Sequence, residues 1–250
     1  MSGHSKWAQI KRQKGVADAK RGQVFTKLGR ELMVAVRQGG PDPAGNARLR
    51  LAIQKARENN MPLDNIDRAV KRAAGALDGA ALEEITYEGY GPHGVAVMIQ
   101  ALSDNRNRTV AEIRNVFTRA NGSLGESGSV SWLFEQKGVI TVDANGADPE
   151  ELALLAIDAG ADDVKVDEQT LEVYTDPSSL ETVREALERS NMKIESSEIS
   201  LLPKTTVPIT GEKEATSVLR LIDKLDDLDD VQEVFSNADI PAEVMEGYGG

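Results

Sequence analysis

Apolar residues recur at helical spacing through the first third of the chain and in short strand-like runs after it. Phe25, Leu28, Leu32 and Val36 make one apolar stripe, which predicts an amphipathic helix over Val24 to Val36. At about 100° per residue, Lys20, Lys27, Arg30 and Arg37 fall roughly opposite that stripe, while Arg21 sits nearer the apolar side. Gly39-Gly40-Pro41 ends the helix, glycine supplying the open conformation and proline blocking continuation. A second helix is expected from Ala44 to Glu58, entered through Pro43, with Leu49, Ile53 and Ala56 on one side. Asn59-Asn60-Met61-Pro62 breaks it, and a third helix starts at Pro62 and carries Ile66, Ala69, Val70 and Ala73. Asp64 and Asp67 near its start and Lys71 and Arg72 near its end complement the helix dipole. Ala74 to Ala81, rich in small residues, reads as a boundary.

Beyond it, strands alternate with helices. Ile85–Glu88 and Val95–Ala101 read as strands, Thr109–Ala120 as a helix with Ile113, Val116 and Phe117 inward. Ser129–Phe134 and Val139–Val142 read as strands bracketing a turn at Glu135-Gln136-Lys137-Gly138. Helices are expected at Pro149–Ala159, Pro177–Ser190 and Glu212–Leu225, and short strands at Asp163–Val166, Leu171–Thr175, Lys193–Ile199, Thr205–Ile209 and Val231–Phe235. The fold class is therefore α+β and multidomain. A three-helix N-terminal domain precedes an α/β body, most simply two β-α-β units of ferredoxin-like type.

Charge changes the picture. The chain of 250 residues has a net charge of −12, yet residues 1–76 hold 16 Lys+Arg against 6 Asp+Glu, a net of +10. The remainder holds 13 against 35, a net of −22. A cationic lobe joined to an acidic body points to a polyanionic partner. The absence of cysteine excludes disulfides, Cys-ligated metal and thiol catalysis. Apolar runs such as Val95 to Ile99 are far below the roughly 20 residues that span a bilayer. The basic start has no apolar block behind it, so neither a secretory signal nor a membrane partner is expected, and the cytoplasm is the expected address.

Candidate chemistry is sparse. Gly89-Tyr90-Gly91-Pro92-His93-Gly94 matches G-x-G-x-x-G, but it leads into the strand Val95-Ala96-Val97-Met98-Ile99, where a dinucleotide site needs a helix. It reads as a hairpin turn. No Walker A sequence is present, and the two histidines, His4 and His93, lack metal-ligand spacing. No cofactor, metal or catalytic residue is expected. The run Asp226-Asp227-Leu228-Asp229-Asp230 reads as a solvated acidic helix end. The positive signals are Lys6, Trp7, Lys11, Arg12 and Lys14, where cations neutralise phosphates and an indole stacks or anchors. Lys20, Arg21, Lys27 and Arg30 extend that basic set. Arg106 and Arg108 stand at a helix start where backbone N–H groups also meet anions.

The chain resembles the YebC family, also called the PmpR family. The resemblance is carried by Met1-Ser2-Gly3-His4-Ser5-Lys6-Trp7 with Ile10-Lys11, Phe25-Thr26-Lys27-Leu28-Gly29-Arg30-Glu31-Leu32, Asn59-Asn60-Met61-Pro62 and Tyr87-Glu88-Gly89-Tyr90-Gly91-Pro92. Two later blocks agree, Asp104-Asn105-Arg106-Asn107-Arg108-Thr109 and Leu124-Gly125-Glu126-Ser127-Gly128-Ser129-Val130-Ser131-Trp132. Asn121-Gly122-Ser123 departs from it where a glycine pair is expected. The resemblance implies a helical domain over 1–78, a discontinuous middle domain over 79–135 plus 204–250, and an α/β domain over 136–203 inserted within it. It also implies a DNA-binding transcriptional regulator, and the lack of candidate catalytic residues makes a non-enzymatic one the expectation. The alternative it carries is a ribosome-associated translation factor that relieves stalling at proline-rich stretches through rRNA or tRNA. Duplex DNA or ribosomal RNA, with the ribosome or RNA polymerase, are the partners implied; a mitochondrial relative activates translation of a cytochrome oxidase subunit.

Overall fold

The computed structural model describes residues 18–75, 82–144, 148–167 and 170–248. Three helices come first: α1 (Asp18–Gly39), α2 (Ala47–Glu58) and α3 (Leu63–Gly75). Leu28, Leu32, Ala35 and Val36 of α1 pack with Leu49, Ala52 and Ala56 of α2 and with Ile66 and Ala73 of α3. The second helix starts later than expected because Asn46, not Pro43, caps it. Its buried side chain accepts from the Leu49 N–H at 3.0 Å and donates to the carbonyls of Ala35 and Gly40 at 2.7 and 2.9 Å. One side chain thus closes α1 and opens α2. It lies so close to Gly39 that a Cβ there would meet its carboxamide at 2.6 Å.

The first sheet has the order β3-β1-β2-β9, from β1 (Glu83–Tyr90), β2 (Ala96–Ser103), β3 (Ser123–Leu124) and β9 (Val231–Ser236), all pairs antiparallel. The glycine-rich segment between β1 and β2 is a hairpin connection, with the Gly91 N–H on the Val95 carbonyl at 2.8 Å. On one face α4 (Arg106–Arg119) and α7 (Glu212–Asp226) supply Ile113, Phe117, Val218, Leu219 and Leu225 to a core with Val97, Ile99 and Val234. On the other, Ala96 and Met98 pack with Val130, Phe134 and Phe235.

The second sheet has the order β5-β6-β4-β7, from β4 (Phe134–Asp143), β5 (Asp163–Asp167), β6 (Thr170–Thr175) and β7 (Ile194–Pro203). With α5 (Pro149–Asp158) and α6 (Leu180–Arg189) between strands, this is the split β-α-β arrangement. The first sheet departs from that connectivity by opening with a hairpin. A parallel pair, β8 (Val207–Pro208) with β10 (Ala238–Asp239), and a short α8 (Ala242–Gly247) complete the described residues.

Two local expectations are corrected. Glu135-Gln136-Lys137-Gly138 is no turn: β4 runs through it, and Gly138 pairs with both Thr175 and Ile199. Ser129–Leu133 is no strand, and only Phe134 of the expected run joins β4. The Gly128, Val130 and Ser131 N–H groups donate to the Glu88 carboxylate at 2.8, 2.7 and 2.8 Å, and a short 3₁₀ turn spans Ser131–Leu133. Donors spent on a carboxylate are lost to a ladder. Burial raises the Glu88 pKa, but those N–H groups outweigh it and hold the carboxyl below the usual glutamate value.

Candidate nucleic-acid interface

Lys27 and Arg30 lie on the polar side of α1, as the periodicity requires, but they point at this chain's own acidic segment. Lys27 Nζ donates to the Asp226 carbonyl and lies 3.5 Å from its Oδ1. Arg30 Nη1 reaches the Asp229 carbonyl at 2.5 Å and Asp230 Oδ1 at 3.0 Å, and Gln23 caps the Asp227 carbonyl at 2.5 Å. The cause is the end of α7. Its last carbonyls have no intrahelical donors, the dipole is negative there, and acidic side chains add to it, so cations from α1 fill the site. The Asp-rich run is therefore a docking point and not the solvated helix end expected, and Asp230 is only 3% exposed.

Asp230 also accepts from Arg108 Nη2 at 2.6 Å, Thr109 Oγ1 at 2.7 Å and Ser103 Oγ at 3.1 Å. Burial pushes its pKa up, but these donors outweigh burial and hold the carboxyl below the ordinary aspartate value. Arg108 is held further by Asp104 at 2.8 Å, and its own pKa is raised by the bonds to Asp230 and Asp104. A cleft of about 490 Å³ opens here between α1, α4 and the acidic run, lined by Arg30, Asp104, Arg108, Glu112, Asp229 and Asp230. Carboxylates outnumber cations in that lining, which suits docking of the lobe and not capture of a polyanion.

A second contact is made by α2. Lys55 Nζ pairs with Glu233 of β9 and lies 3.5 Å from Glu198 of β7, so one ammonium touches both sheets. Burial disfavours the Lys55 charge, but Glu233 and Glu198 outweigh it and raise its pKa. The Glu233 pKa is raised as well, by burial first and by Glu198, because two carboxylates share a single ammonium. Leu51, on the same side of α2, packs against the core of the second sheet. Arg48 bonds Glu31 at 2.9 Å and Glu84 at 2.7 Å.

The other expected site residues divide in two. Lys6, Trp7, Lys11, Arg12 and Lys14 lie outside the described residues. Lys20 and Arg21 are in the first turn of α1, with Arg21 exposed, and Arg106 is exposed at the first position of α4. Asn105 caps α4, its side chain accepting from the Arg108 N–H at 3.1 Å. The sequence reading overlooked Arg57, Arg68, Lys71 and Arg72, which are exposed on α2 and α3. Arg57, Lys71 and Arg72 make no carboxylate contact among the described residues. Arg68, Lys71 and Arg72 share roughly a 100° arc of α3. Helical spacing carries this signal, but Lys71 and Arg72 also complement the helix dipole, which accounts for them without a partner.

His93 sits at φ 60 in the hairpin, its Nε2 3.2 Å from Ser217 Oγ. Among the described residues no His/Asp/Glu group is arranged to hold a metal ion, and no helix is long and apolar enough to cross a membrane.

Residues 5–76 match the family described as the TACO1/YebC protein N-terminal domain, and residues 82–238 match the TACO1/YebC second and third domain. A probable transcriptional regulatory protein of Dehalococcoides mccartyi is 57% identical over 248 residues, covering 99% of this chain and 98% of its own. One of Moorella thermoacetica with the same description is 55% identical over 248 residues, covering 98% of each chain. The crystal structure of a conserved hypothetical protein from Aquifex aeolicus superposes with a TM-score of 0.82 at 50% identity, covering 90% of this chain and 92% of its own. With matches running from the basic helices through both sheets, the chain belongs to the TACO1/YebC family.

Proposed function

We propose that the protein is a non-enzymatic regulatory factor of the cytoplasm that grips the phosphate backbone of duplex DNA with its basic N-terminal lobe. The observation that carries this reading is the net +10 of residues 1–76 against −22 for the rest. Ion pairs with the body use Lys27, Arg30, Arg48 and Lys55, and the exposed Arg57, Arg68, Lys71 and Arg72 stay turned to solvent. Lys6, Lys11, Arg12 and Lys14 add charge ahead of them in sequence. In this reading the ion pairs fix the lobe on the body, and the acidic body is repelled by the polyanion and orients the complex. The names of the relatives support a role in transcription regulation.

The exposed cations can pair with backbone phosphates whatever the sequence, which favours backbone and shape recognition. That same feature favours a second reading, a ribosome-associated translation factor held by rRNA or tRNA. If about 6 phosphates are contacted, affinity falls roughly 10³-fold between 50 and 200 mM salt. Binding of promoter-length duplex and of rRNA fragments is measured across that range, beside ribosome co-sedimentation at physiological salt. Tighter salt-dependent duplex binding supports the regulator, and co-sedimentation without duplex binding moves the assignment to the ribosome. Salt-insensitive affinity for both polymers overturns the electrostatic basis of either.

A further inference from the structure

Trp132 is 64% exposed, although it sits between the buried Val130 and Phe134. Its indole N–H donates to the Ser129 carbonyl at 3.1 Å. Tyr90, 37% exposed, donates its hydroxyl to that same carbonyl at 3.2 Å. Two surface aromatics are thus tied by their polar ends to one acceptor, which leaves apolar ring surface to solvent.

The carbonyl is itself held in place. Glu88, 5% exposed, lies beneath the loop and takes the Gly128 N–H on one carboxylate oxygen and those of Val130 and Ser131 on the other. The Gly125 N–H closes the loop onto the Glu88 carbonyl at 2.8 Å, and a Cβ on Gly125 would meet Ser129 Oγ at 2.5 Å. A buried carboxylate spent on three backbone donors makes an exposed loop rigid, and rigidity under two exposed rings lowers the ordering cost of stacking a flat ligand on them. Exposed Trp and Tyr are otherwise the side chains that folding removes from water.

We propose that Trp132 and Tyr90, on the loop anchored by Glu88, form a stacking site for the unpaired bases of a single-stranded nucleic acid; this deepens the nucleic-acid reading above and rests on it. Every base has a π-face, so stacking on such rings tolerates sequence, while paired bases in a duplex keep their faces covered. The indole N–H is already committed to Ser129, so it has no donor to offer the carbonyls of an extended peptide, which favours a base over a proline-rich segment. Two exposed cations stand on backbone segments that adjoin the rings. Lys204 follows from its backbone N–H on the Leu133 carbonyl at 2.8 Å. Arg119 ends α4 three residues before Gly122, where a Cβ would lie 2.6 Å from the Tyr90 carbonyl. Glu126 and Glu135 are exposed on the same stretch, so the site holds one or two nucleotides by their bases and has a shallow salt dependence.

The chain has two tryptophans, so the full-length Trp7→Phe variant reports on Trp132 alone. Its emission is followed during titration with an eight-nucleotide single strand, with the matching duplex and with an octaproline peptide. The single strand quenches Trp132 and the duplex does not. In the otherwise native chain, Trp132→Ala lowers the ratio of single-strand to duplex affinity roughly ten-fold, and Trp132→Phe restores most of it. Single-strand binding with unmoved Trp132 emission and an unchanged affinity ratio in Trp132→Ala overturns the stacking site and leaves the phosphate-gripping lobe standing. Quenching by octaproline but not by the oligonucleotide overturns it in favour of a peptide. Absence of binding of the native chain to either nucleic acid at low salt overturns the broader reading and this one with it.

Discussion

Asp230 is where the basic lobe, α4 and the end of α7 meet, and its removal tests whether the docking described above has energetic weight. Asp230→Ala deletes the acceptor of four side-chain bonds, from Arg30 at 3.0 Å, Arg108 at 2.6 Å, Thr109 at 2.7 Å and Ser103 at 3.1 Å. The compensation is unequal. The Arg30 and Arg108 side chains are 23% and 43% exposed and regain water. The buried hydroxyls of Thr109 and Ser103 keep each other at 2.6 Å, which limits the orphaned donors. Bonds to a charged acceptor are each worth about 1.5–3 kcal/mol, so after this relief the expected loss is about 3 kcal/mol for alanine. Asparagine retains one acceptor oxygen and is expected to lose about half of that.

The pH dependence has a definite sign. The folded-state pKa lies below the ordinary aspartate value, so the stabilisation is present above the unfolded value of about 4 and is lost as pH falls through the folded value. Urea unfolding of wild type and Asp230→Ala, followed by circular dichroism, should give a gap that is constant from pH 8 to about 5 and closes below about 4. A gap under about 1 kcal/mol at neutral pH, or one that widens on acidification, refutes the reasoning.

Three further outcomes are expected. Lys55→Met leaves Glu198 and Glu233 facing each other and, with all three side chains partly open to solvent, should cost about 1–2 kcal/mol at neutral pH; because the Glu233 pKa is raised, the loss should shrink as pH falls toward 5, read from thermal melts across that range. Glu88→Gln turns an NH₂ toward at least one of the Gly128, Val130 and Ser131 N–H groups, costing about 2 kcal/mol and altering the near-ultraviolet dichroism of Trp132. Asn121 adopts φ 56, so Asn121→Gly should change stability by less than about 1 kcal/mol, whereas Asn121→Val should lower it by about 1–2 kcal/mol; equal melting temperatures for the two variants would contradict the left-handed assignment.

Local patterning was enough for the helices of the N-terminal lobe, the β1–β2 hairpin and most of the strands and helices that follow, because burial of one face imposes a period of 3.6 or 2 on the chain itself. The turn chemistry was legible only in part: Asn60, within the expected helix break, and Asn121, where a glycine pair was expected, stand past helix ends at φ 57 and 56, while Asn191 does so at φ 57 with no expectation attached to it. The concentration of positive charge in residues 1–76 is equally a property of the sequence. Its destination is not. Lys27 and Asp226 are 199 residues apart, Arg30 and Asp230 are 200, and no periodicity reports that the end of α7 offers bare carbonyls to α1. The same holds for Glu88, whose carboxylate takes N–H groups 40 to 43 residues away and so turns an expected strand into a fixed loop. Helical and strand periods are written between neighbours, whereas the partner of a charge or an orphaned backbone group is chosen by whichever distant segment the fold brings within hydrogen-bond reach.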